Sequence, residues 1–227
     1  MSRFFGGGGV FFRLKNENKI QGKSAINDFS KSLIDFYKSV SGDAFGVELS
    51  KISNAWDFIR NLGEDIHNKF HERFGELLST KEPTPFVTEE MSRYIVNRLS
   101  ENKWDTHGFS LSNKIEKSLN DKLRRFQKIN ITDDVTTVIH KCITTSVCQA
   151  FYFIVRDMYN DWNNHGHKND YTMDERSAQW VFIREFCFGS MFRFGPDGDF
   201  NVPYGGYGYN SKCFTCKIEN ITSEGIF

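Results

Sequence analysis

Proline is confined to two places in this chain, and nothing else in the sequence restricts its architecture as much. Pro83 and Pro85 sit together in the first half, and Pro196 and Pro203 near the end. Proline locks φ and removes a backbone donor, so it interrupts helices. Residues 44–162 accordingly read as almost entirely helical around the single Lys81-Glu82-Pro83-Thr84-Pro85 interruption. Ile59, Leu62 and Ile66 run on towards Phe70, Phe74 and Leu78, spacings that stack apolar side chains on one helix face. Met91, Ile95 and Leu99 predict a second helix, and Leu111, Ile115, Leu119, Leu123 and Phe126 a third. Val135 to Trp162 predicts another long helical stretch, with a break expected near Thr144–Ser146.

The two ends have another character. Residues 4–14, Phe-Phe-Gly-Gly-Gly-Gly-Val-Phe-Phe-Arg-Leu, form a glycine loop feeding an apolar segment. Ser24 to Asn27 reads as a short strand ending on Asp28, and from Ser30 a helix places Leu33, Tyr37 and Val40 on one face. That order is the middle of an α/β unit. Towards the other end, Met173 to Met191 predicts a helix. Phe192 to Val202 predicts a β-hairpin around Pro196-Asp197-Gly198, and a glycine- and tyrosine-rich loop, Tyr204 to Tyr209, follows.

Lys plus Arg and Asp plus Glu both number 29, which argues against a general polyanion-binding coat but not against a local basic face. Residues 111–130 supply one: Lys114, Lys117, Lys122, Arg124, Arg125 and Lys128 stand against two acids. No apolar run approaches the ~18 residues of a membrane span. Five cysteines at irregular spacings read as reduced thiols. Cys213 with Cys216 has half-zinc or redox spacing but no second pair to complete a site. His165 with His167, set among Asn163, Asn164, Lys168 and Asp170, reads as a solvated turn rather than a ligand pair. The 35 aromatic residues are expected mainly in the core, with Tyr204, Tyr207 and Tyr209 placed to touch a base.

A glycine run between strand and helix lets backbone approach a nucleotide closely. Val10, Phe11 and Phe12 cannot supply the lysine and hydroxyl of a phosphate loop, and Phe11 breaks the dinucleotide pattern. Asp28 lies 22 residues after Gly6, near the interval at which an acid accepts from ribose hydroxyls. An adenosine-containing cofactor such as S-adenosylmethionine fits both; a plain glycine-rich terminus with a surface aspartate is the other reading.

Two segments together resemble the Dam-type adenine-N6 DNA methyltransferases. The first is the glycine loop followed by Ala25-Ile26-Asn27-Asp28. The second, Arg184 to Gly205, looks like the hairpin of that family's target-recognition region. The resemblance implies an α/β fold: a partial Rossmann-like core for S-adenosyl-L-methionine in residues 1–42, then a mainly helical insertion and target-recognition region in 43–227 with its hairpin at about 192–203. It implies Phe5, Gly6, Gly8 and Asp28 against the cofactor and Arg193 reading a guanine. It also places Met191, Asn201 and Pro203 beside the target base pair, and Tyr207 near the gap left by a flipped adenine.

The implied activity is site-specific methyl transfer to adenine N6 in double-stranded DNA, without metal or membrane, by a monomer in the cytoplasm of a bacterial or phage-infected cell. The departures from the family are specific. Ser2-Arg3 stands where the family has Glu/Asp-Pro, the upstream lysine segment is missing, and no Pro-Pro pair occurs, so the catalytic Asp-Pro-Pro-Tyr motif is absent. Asn201-Val202-Pro203-Tyr204 lacks the rigid first proline, and no catalytic residue is assigned. The expectation is therefore a fragment inactive on its own, lacking a C-terminal catalytic segment. The alternative is a catalytically dead DNA-binding remnant or one half of a split methyltransferase.

Overall fold

The computed structural model describes residues 13–14, 17–20, 28, 30–40, 42–80, 84–101, 110–129, 134–164 and 171–215. Among these described residues, six helices of nine or more residues carry the fold: α1 (Lys31–Ser39), α2 (Asp43–Thr80), α3 (Glu89–Ser100), α4 (Leu111–Phe126), α5 (Val135–Asn164) and α6 (Met173–Phe186). A 3₁₀ turn (Phe188–Ser190) and a four-residue helix α7 (Tyr207–Asn210) follow.

Side-chain caps start the helices where the sequence offers them. Ser30, Thr88 and Ser110 accept from the backbone N–H three residues on, and Thr172 with Glu175 forms a reciprocal capping box. Asp134 accepts from the Thr137 N–H at the head of α5, which holds its carboxyl below the usual range. α2 ends at Thr80, where the proline cluster begins. Beyond that cluster, Asn120 of α4 accepts from the Phe86 and Val87 N–H groups, and Arg73 of α2 donates to the Phe86 carbonyl.

α5 and α6 are the buried heart of the bundle. α6 buries residues on every side from Arg176 to Ile183 and packs against α1, α2 and α5. α5 packs against α2, α4 and α6. α5 is long and apolar enough to cross a membrane by length and composition, yet 78% of its apolar window is buried. It is a core helix. It is also unbroken at Thr144–Ser146, where the Thr144 and Ser146 hydroxyls donate back to the His140 and Cys142 carbonyls and so do not compete for backbone N–H groups.

The α/β expectation is overturned: no β-strand occurs among the described residues. The segment expected as a hairpin, 192–203, makes one isolated antiparallel bridge, Phe194–Phe200, and a second, Cys187–Tyr204, lies just outside it, without a ladder between them. Its turn chemistry is as expected, with Gly198 at φ +84 and its N–H bonded to the Gly195 carbonyl. Two strands alone are marginally stable in water. The Gly195 N–H bonds across the turn to the Asp199 carbonyl and the Asn201 N–H to the Arg193 carbonyl, and the backbone groups facing outward bond to α5. Asn160 of α5 accepts from the Phe200 N–H at 2.9 Å and donates to its carbonyl at 3.0 Å. Tyr152 donates to the Val202 carbonyl at 2.8 Å. The segment is a loop fastened onto α5.

Candidate functional site

Three surfaces of this bundle carry polar chemistry. The first is the cleft between α5 and the fastened loop, about 470 Å³, lined by Arg156, Asp157, Asn160 and Asp161 on one side and residues 195–201 on the other. One arginine faces Asp157, Asp161, Asp197 and Asp199 there. An acidic cleft repels a phosphate backbone. The loop's outer face is apolar, with Phe188, Met191, Phe192 and Phe194 all exposed. Arg193, expected to read guanine, turns back on its own loop: Nε donates to Asn201 Oδ1 at 2.7 Å and Nη2 to the Asn201 carbonyl at 3.4 Å. Pro203 and Asn201 are exposed while Val202 and Tyr204 are buried. The expected double-stranded DNA partner, recognised through a β-hairpin, is therefore corrected, since no such strand pair exists among the described residues and the adjoining cleft has the wrong charge.

Asn160 is what holds this loop. Replacing it with alanine strands the Phe200 N–H and carbonyl in a buried setting, at ~1–3 kcal/mol for each group. Asn160→Ala is thus expected to lower unfolding free energy by about 2–6 kcal/mol. Limited proteolysis should show faster cleavage between residues 192 and 201 than in the parent.

The second surface lies on α4. Lys117, Arg124 and Arg125 of the helix and Lys128 just beyond it are exposed on one stripe. Lys114 and Lys122 lean towards α5, onto Asp157 at 2.7 Å and Gln149 Oε1 at 2.9 Å. Burial lowers the Lys122 pKa from the ordinary lysine value. A depression of about 170 Å³ opens between the two helices, lined by Lys114, Lys117, Lys122, Arg125, Gln149 and Phe153 among others.

The third lies between α2 and α5. Glu64, His67 and His140 bring their donor atoms within 4.8 Å of one another. His140 Nε2 is 2.8 Å from Glu64 Oε2, and the His67 and His140 rings are 4.8 Å apart, nearly perpendicular. Burial, then the neighbouring His140 and His71, push the His67 pKa down, against an opposing hydrogen bond from its Nδ1 to Asn68 Oδ1 and the charge of Glu64. Sequence reading missed this trio. Glu64 and His67 at i, i+3 on a predicted helix face were the available signal; the third member comes from 73 positions beyond His67.

The cofactor residues Phe5, Gly6 and Gly8 lie outside the described residues. Asp28 accepts from the Ser30 N–H at 2.9 Å, next to the residue that caps α1. The expected S-adenosylmethionine site is corrected too, because the described residues contain no sheet to form a Rossmann-type pocket. Tyr204 is part of the core, its hydroxyl donating to Asn210 and its pKa raised by burial. Tyr207 is exposed beside His140. Cys142 and Cys148 are free and buried, their thiols pushed up to about 12 by burial, which makes them poor nucleophiles. Cys213 is disulfide-bonded, against the expectation of five reduced thiols. His165 and His167 lie outside the described residues.

No protein-family model matches the chain, and no solved structure matches it. A stretch of 66 residues, 29% of this chain, is 41% identical to the type II methyltransferase M.MjaIII of Methanocaldococcus jannaschii. That stretch spans about a fifth of the relative's length. The likeness is thus partial and, with no sheet among the described residues, does not place the whole chain among adenine methyltransferases. The expected methyl-transfer activity is corrected on the same ground, and the catalytically silent alternative agrees better with a helical chain.

Proposed function

We propose that this chain is a catalytically silent, helical DNA-binding module that touches the duplex through phosphate contacts from α4 rather than by reading bases from a hairpin. The exposed stripe Lys117, Arg124, Arg125 and Lys128 carries the reading, in a protein whose overall formal charge is zero. Such a concentration of cations on one rigid helix is the electrostatic footprint of a polyanion. The depression beside it, with Lys114, Lys117, Lys122 and Arg125 on its walls, has room for one phosphate group. The partial likeness to a type II methyltransferase supports a nucleic-acid setting. Phosphate contacts position a protein on DNA but carry no sequence information, so the module is expected to bind duplexes with little sequence preference.

The test is fluorescence anisotropy with a labelled duplex. Four phosphate contacts give a salt slope of about −3.6, so affinity should fall ~100-fold between about 50 and 200 mM salt. The triple variant Lys117→Glu, Arg125→Glu, Lys128→Glu should lose more than ~10-fold in affinity and flatten the slope by about three. Arg193→Ala should bind as the parent does. Absence of duplex binding at about 50 mM salt, or unchanged affinity in the triple variant, would overturn the reading.

A further inference from the structure

We propose that Glu64, His67 and His140 form a binding site for a divalent transition-metal ion of the zinc class, at the crossing of α2 and α5. The inference is independent of the DNA-binding reading.

Two features of the fold create the site. Glu64 and His67 stand at i, i+3 on α2, which puts both on one face. Gly63 lies at a close approach of the two helices: a Cβ built on it would meet the Thr144 Cα of α5 at 3.3 Å. Because that position has no side chain, His140, one turn before Thr144, can reach the Glu64–His67 pair.

A Glu64–His140 hydrogen bond accounts for two of the three groups and leaves the third unexplained. His67 Nε2 is buried and has no hydrogen-bond partner. A buried imidazole nitrogen without a partner is costly, and its position within 4.8 Å of the other two donors makes a shared ion the simplest account. The remaining ring nitrogen of His67 faces Asn68 Oδ1 at 3.4 Å. A carboxylate or amide oxygen behind a ligating histidine orients the ring. A tetrahedral zinc with ligand bonds of about 2.0–2.1 Å holds its donors roughly 3.3 Å apart, so the trio must draw together by side-chain rotation.

The donor set decides the class of ion. Two imidazoles and one carboxylate favour zinc, cobalt, nickel or copper over magnesium and calcium, which need mainly oxygen ligands. Three protein ligands leave one position open. Glu64 and His140 also line a cavity of about 210 Å³, with Arg60, Asn61 and Tyr207 among its other walls and room for water or a small anion.

Isothermal titration of chelator-treated full-length protein with Zn²⁺ should give one site per chain, and Mg²⁺ at the same concentration none. Co²⁺ in place of zinc should develop visible ligand-field absorption. His67→Ala and His140→Ala should each weaken zinc binding by more than ~10-fold. Glu64→Gln, the mildest change, should do so with the parent's circular dichroism spectrum. The double variant His165→Ala, His167→Ala and the α4 charge-reversal variant should bind zinc as the parent does, which separates this site from the other histidine pair and from the DNA-binding surface. The proposal is overturned if the folded parent binds no zinc, if binding survives intact in Glu64→Gln and both histidine variants, or if it is lost with His165 and His167.

Discussion

Replacing Arg176 with alanine should lower the unfolding free energy by about 3–5 kcal/mol, the loss typical of a buried ion pair broken from one side. Arg176 is the most deeply placed cation in α6, 4% exposed, with its guanidinium 3.6 Å from the centroid of the Trp162 ring and 5.3 Å from that of Tyr159. Nη1 donates to Asp35 Oδ2 of α1 at 2.9 Å. Burial lowers the Arg176 pKa, which the field of Tyr159 and Asp35 partly opposes.

Removing the guanidinium leaves Asp35, itself buried, with Lys31 on its solvent side as its ion-pair partner. The variant therefore loses a charge-assisted bond and two cation–ring contacts together, and leaves a carboxylate poorly compensated. Urea denaturation checks this: the midpoint should drop while the slope stays close to the parent's, since the surface exposed on unfolding hardly changes. The double variant Arg176→Met, Asp35→Leu should recover much of the loss, because apolar groups of similar volume do not carry the desolvation cost. A single variant within about 1 kcal/mol of the parent would mean that water already reaches Asp35.

The parts of this fold that were legible in the sequence are those whose pattern is local. Leu111, Ile115, Leu119 and Leu123 are all buried on one side of α4, as their spacing required. Met91, Ile95 and Leu99 are the buried residues of α3 for the same reason. The errors came where a distant side chain decides the outcome. Around residues 192–203 the turn residues do make a turn with cross-bonds at Gly195 and Asn201, but the pairing extends to no strand. Its outward-facing Phe200 and Val202 backbone groups bond to Asn160 and Tyr152, both 40 or more residues away along the chain. α6 stops at Phe186 rather than continuing to Met191, because Cys187 is extended at ψ 153 and Gly189 sits at φ +62. The zinc-class trio was half visible in Glu64 and His67; only the packing of α2 on α5 supplies His140. The cationic stripe of α4 was fully visible, since a helix and six basic residues are enough to place it. Its two most enclosed members, Lys114 and Lys122, are spoken for by α5, which no spacing argument could show.

Trp56→Ala should cost about 3–5 kcal/mol, the range for emptying a large aromatic from a core. Trp56 is fully buried at the point where α2, α5, α6 and the C-terminal loop meet. Its ring centroid lies 4.3 Å from that of Phe186, 5.6 Å from Phe182, 6.3 Å from Phe151 and 6.4 Å from Tyr204. Phe214 closes the far side of this group against Phe182 and Phe186. A chain with 23 phenylalanines thus spends several of them on one contiguous cluster, and Trp56 touches four of its members at once. Partial collapse is hindered because the neighbours come from α5, α6 and the loop before α7, so filling the void requires helices to move as bodies.

The indole also donates from Nε1 to the Lys212 carbonyl at 3.3 Å, which ties residues after α7 to α2. Trp56→Phe separates the two contributions. It keeps most of the apolar volume but removes the donor, and should cost about 1–2 kcal/mol less than the alanine change. Thermal unfolding followed by tryptophan-independent circular dichroism measures both variants on one scale. If Trp56→Ala lost no more than Trp56→Phe, the aromatic cluster would contribute little beyond that single hydrogen bond, and the burial argument for this core would fail.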